Sequence, residues 1–243
     1  MAGKSDIRTV LITGAGGALG AALSRECSAR RFNTIMLDND GKALESAWDS
    51  IAGAGLKEPF LHPLNLATSG PEQFEQLLSA ICSEFKGLDG IVHCAASFKG
   101  LRPLDQTPPV QWLEQIQVNL NAAWLLSITC LPMLKRSSSS FLYFLLEDLE
   151  KMKSGYWGAY GVSKQALYTL VHQFAAECVA SSVQVLGINP GPFTSPLRAE
   201  AYHAEDPRSL PDPALIAQGI CGLMTGELES SGLMVDLSDQ RAL

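Results

Sequence analysis

Charge is scarce in this chain and leans one way. Charged residues make up 18% of its 243 positions, and 25 Asp and Glu against 18 Lys and Arg leave a formal net charge of −7. Nucleic acid and anionic membranes attract proteins through a basic surface, so neither is expected as a partner. Metal-ligand spacing is missing too. The six cysteines (Cys27, Cys82, Cys94, Cys130, Cys178, Cys221) form no CxxC pair, and none of the four histidines (His62, His93, His172, His203) has another three or four residues away. The expectation is reduced, mostly buried thiols and no bound metal. An unbroken apolar run of about 18 residues is absent, and the start, MAGKSDIR, lacks the layout of a signal peptide. These absences predict a soluble, cytoplasmic protein.

What is present is a regular alternation. Seven short apolar runs, TVLIT (9–13), TIMLD (34–38), PFLHPL (59–64), DGIVHC (89–94), SFLYFLL (140–146), VQVLGI (183–188) and GLMVDL (232–237), are separated by longer helical patterns. Strands alternating with helices predict an α/β protein built on a parallel sheet, and right-handed crossovers make it doubly wound: a three-layer αβα Rossmann fold of seven strands. Phe74, Leu77, Leu78, Ile81 and Phe85 define one helical face, behind an expected capping box of Ser69 and Glu72 with Pro71 in the first turn. A longer helix is expected from Thr107, with Trp112, Ile116, Leu120, Trp124 and Ile128 along one side. A third carries Leu167, Leu170, Val171, Phe174, Ala175 and Cys178. At 47% hydrophobic residues the whole chain, 1–243, fits one domain. No repeat is visible. RSSSS (136–140) is a solvated turn, and the proline-punctuated stretch 193–213 is expected to form a lid over a site.

After the first strand comes TGAGGALG, Thr13 to Gly20, opening a helix pattern. Glycines let a backbone turn tightly and approach a pyrophosphate, whose charge meets free N–H groups and the helix dipole. Gly14, Gly16, Gly17, Ala18, Leu19 and Gly20 are therefore candidate cofactor contacts, although a plain strand-to-helix turn would use the same glycines. Asp38 closes the second strand, about twenty residues on, where a ribose-binding acid belongs. Its carboxylate would accept from ribose hydroxyls and repel a 2′-phosphate, which favours NAD over NADP. The alternative role for Asp38 is to cap the following helix. Asn65 stands where an amide meets an adenine edge or simply makes a turn.

Tyr160 and Lys164 lie four residues apart in WGAYGVSK, on one helical face, as a proton-transfer pair requires. Taken with TGAGGALG, Val118-Asn119 and NPGP (189–192), in this order, they resemble the short-chain dehydrogenase/reductase family over nearly the whole chain. Within it, WGAYGVSK and NPGPFTSPLRAEAYHAEDP are similar to the YciK group of bacterial oxidoreductases. The resemblance implies hydride transfer between a nicotinamide and a small carbonyl or alcohol substrate. Tyr160 would be the acid/base, Lys164 would lower its pKa and bind ribose, and Asn119 would hold a relay water. Pro190, Gly191, Phe193 and Ser195 would place the carboxamide, with further cofactor contacts from Leu66, Ala95 and Ala96. It also implies a homodimer or homotetramer formed through the helices bearing Trp112, Trp124 and Phe174, for which core burial is the alternative.

Three positions depart from the family pattern. Ala18 replaces a glycine, and His93-Cys94-Ala95-Ala96 replaces Asn-Asn-Ala-Gly. Glu147 occupies the place, thirteen residues before Tyr160, of the family's catalytic serine. A carboxylate accepts and does not donate, so it opposes the negative charge developing on a carbonyl oxygen, and losing one such donor costs about 3 kcal/mol. Three outcomes stand open: Glu147 is protonated in an apolar pocket, Ser154 or Tyr156 supplies the hydroxyl, or Glu147 points to solvent with Asp148, Glu150, Lys151 and Lys153. The function is accordingly an NAD-dependent oxidoreductase or, alternatively, a dinucleotide-binding pseudoenzyme acting as sensor or scaffold.

Overall fold

The structure is a computed structural model that describes residues 7–230 and 232–238. The seven apolar runs form β1 (Thr9–Thr13), β2 (Asn33–Asp38), β3 (Phe60–Pro63), β4 (Gly90–His93), β5 (Ser140–Leu145), β6 (Val183–Asn189) and β7 (Met234–Asp236). They make one sheet in the order β3-β2-β1-β4-β5-β6-β7, with every pair parallel. Strand order reverses between β1 and β4, and in such sheets the crevice at that reversal is where ligands bind. Successive side chains point to opposite faces, so continuous apolar runs bury both. Val10, Ile12, Phe141 and Tyr143 pack under α1 (Ala18–Ala29), α2 (Gly41–Gly53) and α8 (Pro213–Thr225). Leu11, Ile91, Leu142 and Phe144 pack under α3 (Pro71–Glu84), α5 (Ala122–Leu134) and α6 (Gly158–Cys178).

Local chemistry shifts several expected boundaries. The α3 cap is Gly70, whose N–H donates to Gln73 Oε1 at 2.9 Å, while the Ser69 hydroxyl donates to Asn65 O at 2.7 Å. Ser69 and Glu72 therefore make no capping box, because the hydroxyl is already committed to the preceding turn. The next helix begins two residues after Thr107, as α4 (Pro109–Ile116), after a 3₁₀ turn at Leu104–Gln106. A π-helical turn at Gln117–Asn121 joins it to α5. One extra residue in that turn rotates the buried face, so Asn119, Ala123, Leu126 and Cys130 go inward, while Trp124 is 45% and Ile128 38% exposed. Phe174 is core, so its alternative role holds and it is not a surface residue.

The continuous helix Pro109–Leu134 spans 26 residues and contains an 18-residue stretch with a mean hydropathy of 1.2, long and apolar enough by composition to cross a membrane. A search for an unbroken apolar run misses it because Gln115, Gln117, Asn119 and Asn121 interrupt the pattern. In this fold its inner face lies against α3, α6 and the sheet.

Candidate active site

The glycine loop is held open by backbone geometry. Gly14 has φ +67°, a conformation that favours glycine, and the Gly17 N–H donates to Gly14 O at 3.0 Å. Gly20 is the tightest point: a Cβ there would fall 2.1 Å from Gly14 O. This contact sets the start of α1 directly over the end of β1. The first-turn amides of Ala18 and Leu19 have no intrahelical acceptor, and no acidic side chain occupies that turn. The arrangement suits a diphosphate. Ala18 adds its methyl to the wall at the helix start without closing it.

Asp38 braces the loop from β2. Its Oδ2 accepts from Gly16 N at 2.9 Å and its Oδ1 from Asp40 N at 3.1 Å. It does not cap α2; Asp40 does, accepting from Ala43 N at 3.0 Å. Each carboxylate oxygen of Asp38 keeps a further lone pair for a ligand hydroxyl. Two adjoining cavities, of about 1000 and about 320 Å³, share Gly14, Asp38, Ala95 and Ala96. The larger runs past Asn65 and Leu66. There the Asn65 side chain accepts from Ala67 N at 3.0 Å, the turn role, while the residue still lines the groove. The smaller holds Gly17, Ala18, Leu19, Gly20, Glu147, Tyr160 and Lys164, together with Pro190, Gly191, Phe193 and Ser195 from the segment after β6.

Tyr160 and Lys164 are both buried on the inner face of α6, at 1% and 4% exposure. Lys164 Nζ donates to Leu145 O at 2.7 Å and lies 5.5 Å from the Tyr160 ring centroid. Burial lowers the Lys164 pKa, and the charge of Glu147 partly offsets this. Asn119 sits in the π-helical turn, where its Oδ1 accepts from Ser97 N at 2.6 Å and its Nδ2 donates to Ser97 O at 3.0 Å and Ser163 Oγ at 3.1 Å. It thus ties the loop after β4 to α6. The loop also leans on β1 through Ala95 N, which donates to Thr13 Oγ1 at 3.2 Å.

His93 and Cys94, which replace the family asparagines, are enclosed in different ways. His93 Nε2 shares a 2.9 Å hydrogen bond with Ser127 Oγ, its ring stacks on Phe144, and burial pushes its pKa down to about 3. Burial pushes the Cys94 thiol up to about 12.

Glu147 turns inward. Its Oε1 accepts from Tyr160 Oη at 2.8 Å. The rest of the charged run is engaged apart from Tyr160: Asp148 Oδ1 accepts from Glu150 N and Lys151 N, Lys153 pairs with Glu150 in solvent, and Lys151 Nζ lies 4.3 Å from the Tyr202 ring centroid. Gln165 Nε2 donates to Leu149 O, pinning the loop to α6. The solvent-facing outcome is therefore overturned for Glu147, because the neighbouring residues satisfy one another and leave it pointing down the α6 face. Ser154 and Tyr156 line a separate surface hollow, with Tyr156 62% exposed, so neither reaches Tyr160. The Tyr160 phenol is raised well above its ordinary value, first by burial and then by the charge and hydrogen bond of Glu147.

Four side chains around this centre were not singled out from the sequence. Phe98 meets the Tyr160 ring edge-on at 5.2 Å, and Trp157 packs on it at 5.9 Å. Arg198, in α7 (Pro196–Ala201), lines the smaller cavity, grips Glu205 through bonds of 2.6 and 2.7 Å, and stacks 3.7 Å from the Tyr202 ring centroid. The four-residue step from Arg198 to Tyr202 was the available signal. Phe98 had none. Ser195 caps α7, accepting from Arg198 N at 3.1 Å, and Thr194 N donates to Pro211 O at 3.0 Å, so the ends of the 193–213 segment are stitched together.

This arrangement has close counterparts. The chain is 30% identical over 207 residues to the uncharacterised oxidoreductase YciK of Escherichia coli K12, covering 85% of this chain and 82% of that protein. A short-chain dehydrogenase structure from Pseudomonas syringae is similar with a TM-score of 0.88 and 32% identity, over 94% of this chain and 93% of that one. Another, from Escherichia coli CFT073 complexed with NADPH, is similar with a TM-score of 0.88 and 30% identity, over 95% of this chain and 96% of that one. The family described as short chain dehydrogenase matches residues 8–206, from the start of β1 through the glycine loop, Tyr160, Lys164 and α7. With sheet order, loop geometry and extent of match in agreement, the chain belongs to the short-chain dehydrogenase family.

Proposed function

We propose that this protein is a nicotinamide-dependent oxidoreductase acting on a small molecule bound beside Tyr160. One observation carries the reading: Tyr160 and Lys164 form one wall of a cavity whose other wall is the glycine loop with Asp38. The nicotinamide, when bound, supplies or accepts the hydride. Gly14 to Gly20 would receive the diphosphate at the start of α1, Asp38 the adenosine ribose, Asn65 and Leu66 the adenine side, and Pro190, Gly191, Phe193 and Ser195 the carboxamide side. Lys164 would bind the second ribose, and Tyr160 would hold or move the proton at its phenolic oxygen. Asn119 positions the Ser97 loop and α6 relative to each other.

Two considerations bear on the choice of dinucleotide. The related Escherichia coli CFT073 structure is a complex with NADPH. In this chain, however, Asp38 presents a carboxylate where a 2′-phosphate would sit, and the glycine loop carries no basic residue to offset it. We assign NAD as the preferred cofactor on that electrostatic ground. No observation favours a non-catalytic binding protein over this reading.

The test begins with titration of the purified protein with NADH and NADPH, followed by calorimetry. Saturable binding is expected, tighter for NADH, and absence of binding for both would overturn the reading. Tyr160→Phe should then retain dinucleotide affinity while losing about 10²- to 10⁴-fold in any turnover observed.

A further inference from the structure

We propose that the reacting group recognised beside Tyr160 is a carbon bonded to a protonated nitrogen, an iminium or its amine, in preference to a neutral carbonyl or alcohol. This rests on the oxidoreductase reading and narrows its substrate class. The argument starts from Glu147. Its Oε1 accepts from Tyr160 Oη at 2.8 Å, and among the described residues its Oε2 has no hydrogen bond. The residue is half-buried in the cavity wall. Two cations line the same cavity, and neither is hydrogen-bonded to it. Arg198 gives two bonds to Glu205, of 2.6 and 2.7 Å, and Lys164 donates to Leu145 O at 2.7 Å. Toward Tyr160 Glu147 is an acceptor and not the protonated donor, and its carboxylate, felt by both cations but bonded to neither, lines the substrate space among Leu145, Leu146, Phe193 and Leu197.

Substrate charge decides which ligand such a wall favours. A carbonyl gaining hydride becomes an alkoxide-like oxygen and needs a donor, and Glu147 with the phenol proton already drawn toward it offers the opposite. An iminium starts positive and ends neutral. Hydride and its electron pair come from the reduced nicotinamide and form the new C–H bond, the C=N π pair becomes the nitrogen lone pair, and the N–H is retained. No anion forms beside the carboxylate at any point. Glu147 would accept a charge-assisted hydrogen bond from that N–H, the kind of pairing a protonated nitrogen requires in a partly apolar cavity.

The experiment compares matched neutral and cationic probes. Wild type, Glu147→Gln and Glu147→Ser are each titrated with cyclohexylamine and cyclohexanol, and with piperidine and tetrahydropyran, by calorimetry at pH 7 with saturating NADH. In the wild type the amines should bind about ten- to a hundredfold more tightly than their neutral counterparts. Glu147→Gln, nearly isosteric and still able to accept from Tyr160, should erase most of that preference while leaving dinucleotide affinity unchanged. Glu147→Ser should shift the preference toward the neutral probes. Equal affinity for amine and alcohol in the wild type, no saturable amine binding, or a preference untouched in both variants would overturn the proposal. Failure of the wild type to bind NADH, seen before any probe is added, would instead overturn the oxidoreductase reading beneath it.

Discussion

Tyr160 donates its phenolic proton to Glu147, thirteen residues earlier in the chain, across 2.8 Å. This bond sets the electrostatics of the centre. In a site that lowers its tyrosine pKa, a nearby ammonium must dominate; here burial acts first and the carboxylate second, and both raise it.

Burial first, and then the charge and bond of Glu147, predict that Tyr160 stays protonated well past the ordinary phenol value of about 10. Difference ultraviolet titration of wild type against Tyr160→Phe should show no Tyr160 ionisation near pH 10, and Glu147→Gln should move its ionisation downward. Because the folded value lies above the unfolded one, the group's stabilising contribution is complete below about pH 10 and declines as pH rises toward the folded value. Ionisation at or below about 10 in the wild type would contradict this buried, carboxylate-facing placement of Tyr160.

Asp38 makes a second prediction. Asp38→Asn keeps an acceptor for Gly16 N and removes the charge. Relative affinity should move toward NADPH by about tenfold, the size of one charge-assisted contact. Calorimetric titration with both dinucleotides reads this directly, and an unchanged ratio would remove Asp38 from cofactor selection.

Glycine positions separate contact from composition. A methyl at Gly20 would meet Gly14 O at 2.1 Å, whereas one at Gly53 meets nothing within 4 Å. Gly20→Ala should lose about 1 to 3 kcal/mol and weaken dinucleotide binding, since the loop must move. Gly53→Ala should be neutral or mildly stabilising. Denaturant unfolding of the two variants tests the contrast.

His93 predicts an acid-sensitive fold. Burial holds it neutral, with a pKa pushed down to about 3, so the unfolded chain takes up a proton below about 6.5 that the folded chain refuses. Stability is fully present above that value and falls as pH drops toward 3, by about 2 kcal/mol between pH 6.5 and 5. His93→Asn retains a partner for Ser127 without a titrating ring. Its stability should change less over that interval, as measured by urea unfolding at each pH.

The centre of the sheet was legible because β1, β4 and β5 are buried on both faces, while the edge strands β3 and β7 are only partly covered. Val10 to Ile12 and Phe141 to Phe144 read as unbroken apolar runs, and strand identity needs no knowledge of the neighbours. Tyr160 and Lys164 were legible because a four-residue step on a helix is a local fact. The α3 cap and the face of the α4–α5 helix were misread for a related reason: Gln73 competes with Glu72 for the same turn, and a single π-helical turn at Gln117–Asn121 re-phases everything after it.

Sequence alone therefore determined the layers, the strand count, the place of the glycine loop and the spacing of the proton-transfer pair, all consequences of periodicity and backbone sterics. Tertiary structure alone decided where Glu147 points, because that depends on Asp148 capping its own turn and Gln165 holding Leu149 O. It also brought Arg198 from α7 into the same cavity as Glu147, though fifty-one residues separate them. Side-chain direction in a loop is set by partners distant in sequence, and no local pattern encodes them.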